Sequence, residues 1–144
     1  MIGKIVTGKS FGGAVEYVLK KEKARLLESD GVDTESIRTI IDDFNFQRKA
    51  RREIAKVVGH ISLSFHRDDA PTLTDDRMRE LAAAYMECMG IADTQYIVAR
   101  HNDTEHPHLH IIYNRVKYDR TLVADKNERR RNVKVCNSLN ADTG

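Results

Sequence analysis

Hydrophobic positions along the chain change period several times, and each change marks an element. Residues 2 to 8 (IGKIVTG) read as a short strand closed by Gly8. Phe11, Ala14, Val15, Val18 and Leu19 repeat at helical spacing behind Ser10, which predicts a capped helix over about 11–21. A short strand at 25–28 leads into a turn at Asp30-Gly31. Ile37, Ile40, Ile41 and Phe44 then mark a second helix, with Asp33 or Thr34 as the expected cap. Between Val57 and Phe65, Ile61, Leu63 and Phe65 alternate with His60, Ser62 and Ser64, the period-two pattern of a strand. Residues 66–71 read as a loop. Thr74, followed by Asp75 and Asp76, opens a third helix with Met78, Leu81, Ala82, Tyr85 and Met89 as its core face and Gly90 as its end. Strands are predicted at 96–101 and 108–116, joined by six residues in a hairpin-like connection. Leu122 and Val123 add a fragment of strand, and a last helix covers about 127–139.

Strands separated by helices, with one antiparallel pair, predict an α+β fold: a central antiparallel sheet flanked by helices, mainly on one face. The 144 residues suit one domain. No run of 18 apolar residues is present and the N-terminus has no long apolar stretch, so neither a membrane span nor secretion is expected. Cys88 and Cys136 are too few for a disulfide scaffold or a cysteine metal site, and a reducing cytoplasm is the expected compartment. The chain stops soon after the last helix, which suggests the N-terminal part of a longer protein.

The net charge of +2 conceals a strong asymmetry. Lys20 to Arg25, Arg48 to Lys56 and Lys126 to Lys134 together hold fourteen basic and three acidic residues, and the rest of the chain ten basic and nineteen acidic. If the three segments meet in space they form an anion-binding surface of the kind nucleic acid needs; otherwise they are solvated helix faces. The residues proposed to grip DNA phosphates are Arg48, Lys49, Arg51 and Arg52 in the second segment and Arg129, Arg130 and Arg131 in the third.

Four of the six histidines fall between His101 and His110. On a strand, His108 and His110 point to the same face about 7 Å apart, and His101, ending the neighbouring strand, can supply a third nitrogen. Three protein ligands leave coordination positions for water or a phosphate oxygen, as a catalytic centre requires. Asp103 and Asn114 are candidates to orient the ligand rings. His106 is ambiguous, His60 reads as a core or sheet histidine and His66 as a loop residue. Three imidazoles favour zinc or manganese over magnesium.

Tyr17 lies about 130° from the centre of the first helix's apolar stripe and is therefore not an obvious core residue. It either reaches a site beside the sheet or is simply exposed. Tyr85, by contrast, belongs to the core face of its own helix.

The segment His101 to Asn114 (HNDTEHPHLHIIYN) resembles the three-histidine motif of conjugative relaxases, the MobA/VirD2-like mobilisation nucleases of the HUH endonuclease superfamily. Gly8 to Leu19 (GKSFGGAVEYVL) resembles their tyrosine motif and Gly59 to Phe65 (GHISLSF) their middle strand motif, in the family's order. The resemblance implies an antiparallel sheet flanked by helices. It further implies nicking of one DNA strand at the transfer origin of a plasmid or mobile element. Tyr17 would be the nucleophile, a 5′-phosphotyrosine the intermediate, and rejoining of the strand possible. His101, His108 and His110 would hold a divalent metal, usually magnesium or manganese. The expected partner is single-stranded DNA at the transfer origin, with accessory mobilisation and coupling proteins besides, in a bacterial cytoplasm.

Three rivals make different predictions. A rolling-circle initiator or single-strand transposase of the same superfamily usually places its tyrosine after the histidine motif, where only Tyr113 and Tyr118 follow closely. A phosphoesterase using water would not need Tyr17. A non-catalytic nucleic-acid module would explain the basic segments but not the histidines, and aromatic residues, at 6%, are scarce for base stacking.

Overall fold

A computed structural model describes residues 1–102 and 105–143, the last three without their side chains. The elements are β1 (Ile2–Gly8), α1 (Phe11–Leu19), β2 (Ala24–Asp30), α2 (Ile37–Arg48), β3 (Val58–Ser64), α3 (Asp75–Cys88), β4 (Tyr96–His101), β5 (His108–Asn114) and α4 (Glu128–Thr143). Short 3-10 turns cover Lys49–Arg51 and Arg67–Thr72, the latter where a loop was expected. The five strands form one antiparallel sheet in the order β1-β3-β5-β4-β2, so β5 is central. No helix among the described residues is long and apolar enough to cross a membrane.

Local chemistry sets the helix boundaries. The Ser10 hydroxyl accepts from the amide of Gly13 at 3.0 Å and starts α1. Thr74 caps α3 through the amide of Arg77 at 3.1 Å, and Gly90, at φ +74°, follows its end. The cap of α2 is Ser36, not Asp33 or Thr34. Ser36 and Thr39 exchange side-chain-to-backbone bonds in a capping box, while the Asp33 carboxylate accepts from the amide of Glu35 in the preceding turn. Leu122 makes only a single bridge, to Val116.

Helices cover both faces of the sheet rather than mainly one. On one side α1 and α2 pack Phe11, Val15, Val18, Ile40, Ile41 and Phe44 against Val58, Ile97, Ala99 and Ile112. On the other, α3 and α4 pack Met78, Leu81, Tyr85, Cys136 and Leu139 against Ile61, Leu63, Leu109, Ile111 and Tyr113. The central strands are therefore apolar in both directions, and β5 is buried from Leu109 to Asn114. Phe11 and Phe44 stack at 4.6 Å between ring centres and join α1 to α2. Burying one such ring contributes about 1.5–3 kcal/mol.

Two features bear on the site. The first pair of helices leaves β1 largely uncovered on its side, where Ile2 is 76% and Val6 48% exposed. Opposite each other on β3 and β5, Gly59 and Tyr113 pack so closely that a Cβ on Gly59 would lie 2.1 Å from the tyrosine ring. Tyr113 occupies the space a side chain at position 59 would need.

Candidate active site

Antiparallel register brings the histidines together. His101 pairs with His108 across β4 and β5, and His110 lies two residues further along β5, between Ala99 on β4 and Ser62 on β3. All project from the face that carries α1. The rings of His101 and His110 are 4.3 Å apart between centres, His101 and His108 5.1 Å, and His108 and His110 5.3 Å. One nitrogen from each ring lies within 4.8 Å of the other two. His101 and His110 are buried and His108 is half-buried.

Each ring also makes a hydrogen bond through one of its nitrogens. Nε2 of His101 donates to the carbonyl of Val18 at 2.7 Å, and Nδ1 of His108 donates to the carbonyl of His106 at 3.1 Å. Because a carbonyl only accepts, these bonds fix the tautomers and put the lone pairs on Nδ1 of His101 and Nε2 of His108. Nδ1 of His110 is 2.8 Å from Nε2 of His60. Burial first, and then the neighbouring His101, His60 and His108, push the His110 pKa down to about 3, so this ring is neutral at physiological pH. Burial and His101 lower His60 as well. Three imidazoles with oriented rings, His110 among them held neutral, are the donor set a divalent ion requires.

Tyr17 stands over this face. Its ring is 5.9 Å from both His60 and His110 in edge-on contacts, and the Lys21 ammonium sits 4.8 Å from its centre. The side chain is 53% exposed. An open cleft of about 380 Å³ begins here, lined by Lys4, Val6, Ala14, Tyr17, His60, Ser62 and His110. Among the described residues, this is where an aromatic hydroxyl, a histidine cluster and solvent meet.

Compared with models of protein families, residues 17–144 match the nuclease domain of MobA/VirD2-like relaxases. The chain belongs to this family. A comparison with curated proteins gives no match. The relaxase match begins at Tyr17, so β1 and the first turns of α1 lie outside it. Membership identifies a DNA-nicking nuclease domain of the mobilisation type, with DNA as substrate and a histidine cluster able to hold a metal ion.

One expected placement needs correction. Asn114 shares the face of the histidines but lies at the far end of β5. Its side chain bonds Gln95, the carbonyl of Phe44 and the amide of Val116, tying β5 to α2 instead of orienting an imidazole. Asp103 lies outside the described residues. The three basic segments do not meet. Lys20 to Arg25 lies beside the histidines, Arg48 to Lys56 at the opposite end of the sheet, and Arg129 to Arg131 on α4, across the sheet. Arg48 bonds the carbonyl of Lys9, Arg51 that of Arg120, and Arg131 those of Met89 and Ala124. Lys49, Arg52, Arg129 and Arg130 remain solvent-exposed, Lys49 and Arg52 along a shallow groove.

The tyrosines after the histidine motif are occupied elsewhere in this relaxase. Tyr113 is buried on the opposite face, and burial raises its pKa to about 12. Tyr118 donates to Asp30 at 2.7 Å, with its pKa raised by burial and by that carboxylate. His66 and His106 face each other at 6.3 Å, outside the triad.

Sequence reasoning missed His60, Ser62, Lys4 and Lys21 as site residues. The alternation in β3 did put His60, Ser62 and Ser64 on one face. Only the pairing of β3 with β5 reveals that this is the histidine face.

Proposed function

We propose that residues 1–144 form a relaxase domain that nicks single-stranded DNA at the transfer origin of a plasmid or other mobile element, in the bacterial cytoplasm, with Tyr17 as nucleophile. The observation that carries this reading is the position of Tyr17. Its ring packs edge-on to His110, one of three histidines whose nitrogens converge, at the mouth of an open cleft.

In this mechanism the Tyr17 hydroxyl releases its proton and its oxygen attacks the scissile phosphorus. The bond to the 3′ oxygen breaks, that oxygen takes up a proton, and the 5′ phosphate stays esterified to Tyr17. One phosphodiester replaces another, so the 3′ hydroxyl can reverse the step and rejoin the strand. His101, His108 and His110 would hold the divalent ion, magnesium or manganese by family resemblance and zinc or manganese by the nature of the ligands. When bound there, such an ion would supply positive charge against the phosphate. Lys4 and Lys21 flank the cleft and would attract the DNA backbone. Accessory mobilisation and coupling proteins would be further partners.

The test is a covalent-adduct assay. Protein and a Tyr17→Phe variant are incubated with DNA carrying the element's transfer origin, in manganese or in EDTA, and run on a denaturing gel. A shifted band that needs both the metal and Tyr17 is expected. Cleavage without an adduct, or an adduct surviving in Tyr17→Phe, would overturn the assignment.

A further inference from the structure

We propose that His60 is a positioning residue: its Nε2 accepts the Nδ1–H of His110 and thereby holds His110 in the tautomer that presents Nε2 to a metal. The inference rests on the metal-site reading above and deepens it.

Each histidine of the triad makes a hydrogen bond through one ring nitrogen. For His101 and His108 a backbone carbonyl takes one bond, and because a carbonyl accepts only, the nitrogen facing it carries a proton. For His110 the partner is another imidazole, 2.8 Å away, and either ring can be the donor. If His60 donated, Nδ1 of His110 would hold the lone pair and its Nε2 the proton. A protonated nitrogen cannot ligate, and the triad would offer two lone pairs rather than three. Ligation by all three histidines therefore requires His110 to donate and His60 to accept.

The fold keeps His60 in place for this task. It projects from β3 on the histidine face, pairs with Ile112 of β5, and its ring centre lies 5.0 Å from that of His110. The Tyr17 ring touches both imidazoles edge-on, at 5.9 Å from each. The pair is thus a platform shared by a metal ligand and the proposed nucleophile. His60 acts through His110 and needs no contact with the reacting phosphate.

The experiment compares the wild type with His60→Gln, His60→Asn and His60→Leu. The side-chain oxygen of Gln can reach the place of Nε2 and still accept, that of Asn falls short, and Leu has no acceptor. Two quantities are read: the affinity for Mn²⁺ or Co²⁺ by calorimetric titration, and the protonated nitrogen of His110 from imidazole ¹⁵N shifts of the metal-free protein. His60→Leu and His60→Asn should bind the ion about 10–100-fold more weakly. They should also lose the single Nδ1–H form of His110, and His60→Gln should recover most of both. If His60→Leu does not fold, the Gln–Asn contrast carries the same comparison. Equal metal affinity across the variants, with the wild type binding normally, would overturn the role of His60 and leave the metal site standing. A wild type that binds no divalent ion would overturn both.

Discussion

The carbonyl of Val18 accepts a hydrogen bond from Nε2 of His101 at 2.7 Å. Val18 directly follows Tyr17, so the helix that carries the proposed nucleophile is fastened to a proposed metal ligand within one residue. The same bond sets the tautomer of His101. Conventional mutagenesis cannot remove a backbone carbonyl, but the arrangement can be tested from either end.

From the helix end, Tyr17→Phe should abolish the covalent adduct and leave the fold intact. The side chain is half exposed and its substitution deletes only the hydroxyl, so stability should change by less than about 0.5 kcal/mol. Metal affinity should be unaltered. A combined loss of melting temperature and metal binding would mean that Tyr17 is structural.

From the strand end, replacing His108 and His110 together by Ala should eliminate binding of divalent ions. In the wild type, an ion at about 100 times its dissociation constant should raise unfolding free energy by about 2.7 kcal/mol, and the double variant should show no such increment. Thermal melts with and without EDTA make the comparison. A stabilisation that persists in the double variant would place the ion elsewhere.

Acid should weaken the metal-free protein through His110 and His60. His110 has a folded pKa of about 3 against 6.5 for an ordinary histidine, because burial and neighbouring rings disfavour its charged form. Above pH 6.5 both states leave it neutral and stability is insensitive to it. Below pH 6.5 the unfolded chain binds a proton that the folded one refuses, so stability falls as pH drops towards 3, by up to about 1.4 kcal/mol per pH unit from this one group. Lowered His60 acts in the same direction. Urea titrations in EDTA at several pH values should show this slope, and His110→Leu should make it shallower.

Gly59→Ala should destabilise by about 1–3 kcal/mol, because the new methyl group overlaps the Tyr113 ring. Combining it with Tyr113→Leu should cost less than the sum of the two changes. Strict additivity in denaturant titrations would show that the two positions do not compete for space.

Binding of single-stranded DNA should weaken with salt, and Lys4→Ala and Lys21→Ala should each lower the slope of log affinity against log salt by about 0.7. Lys49, Arg52, Arg129 and Arg130 lie at the other end or across the sheet, so their substitution should matter only for oligonucleotides long enough to reach them. An equal effect of all six on a short oligonucleotide would contradict this geography.

Patterns of period and capping carried most of the fold. The alternation around Ile61, Leu63 and Phe65, the stripe from Met78 to Met89 and the spacing of His108 and His110 all translate into observed elements. What they could not carry is pairing. The order of strands decides that His60 sits beside His110 and that Asn114, of correct parity, lies at the wrong end. The second layer of helices was obscured for a related reason: Ile97, Ala99 and Ile112, which α1 and α2 cover, read as ordinary strand residues until both sides of the sheet are seen. The charge runs were the least informative, because the fold sends the three basic segments to separate places: beside the histidines, at the opposite end of the sheet and across it.

The candidate site is assembled from parts of unequal permanence. His108 and His110 belong to the central strand and His101 to its neighbour, where amide exchange should wait for the cooperative unfolding of the sheet. Tyr17 rides on a nine-residue helix, too short to persist without the packing of Phe11, Val15 and Val18. A fluctuation that lifts α1 would break the Val18–His101 bond and withdraw the tyrosine while the histidines keep their positions. Exchange in α1 should therefore be faster than in β5, and slow when DNA holds the helix down.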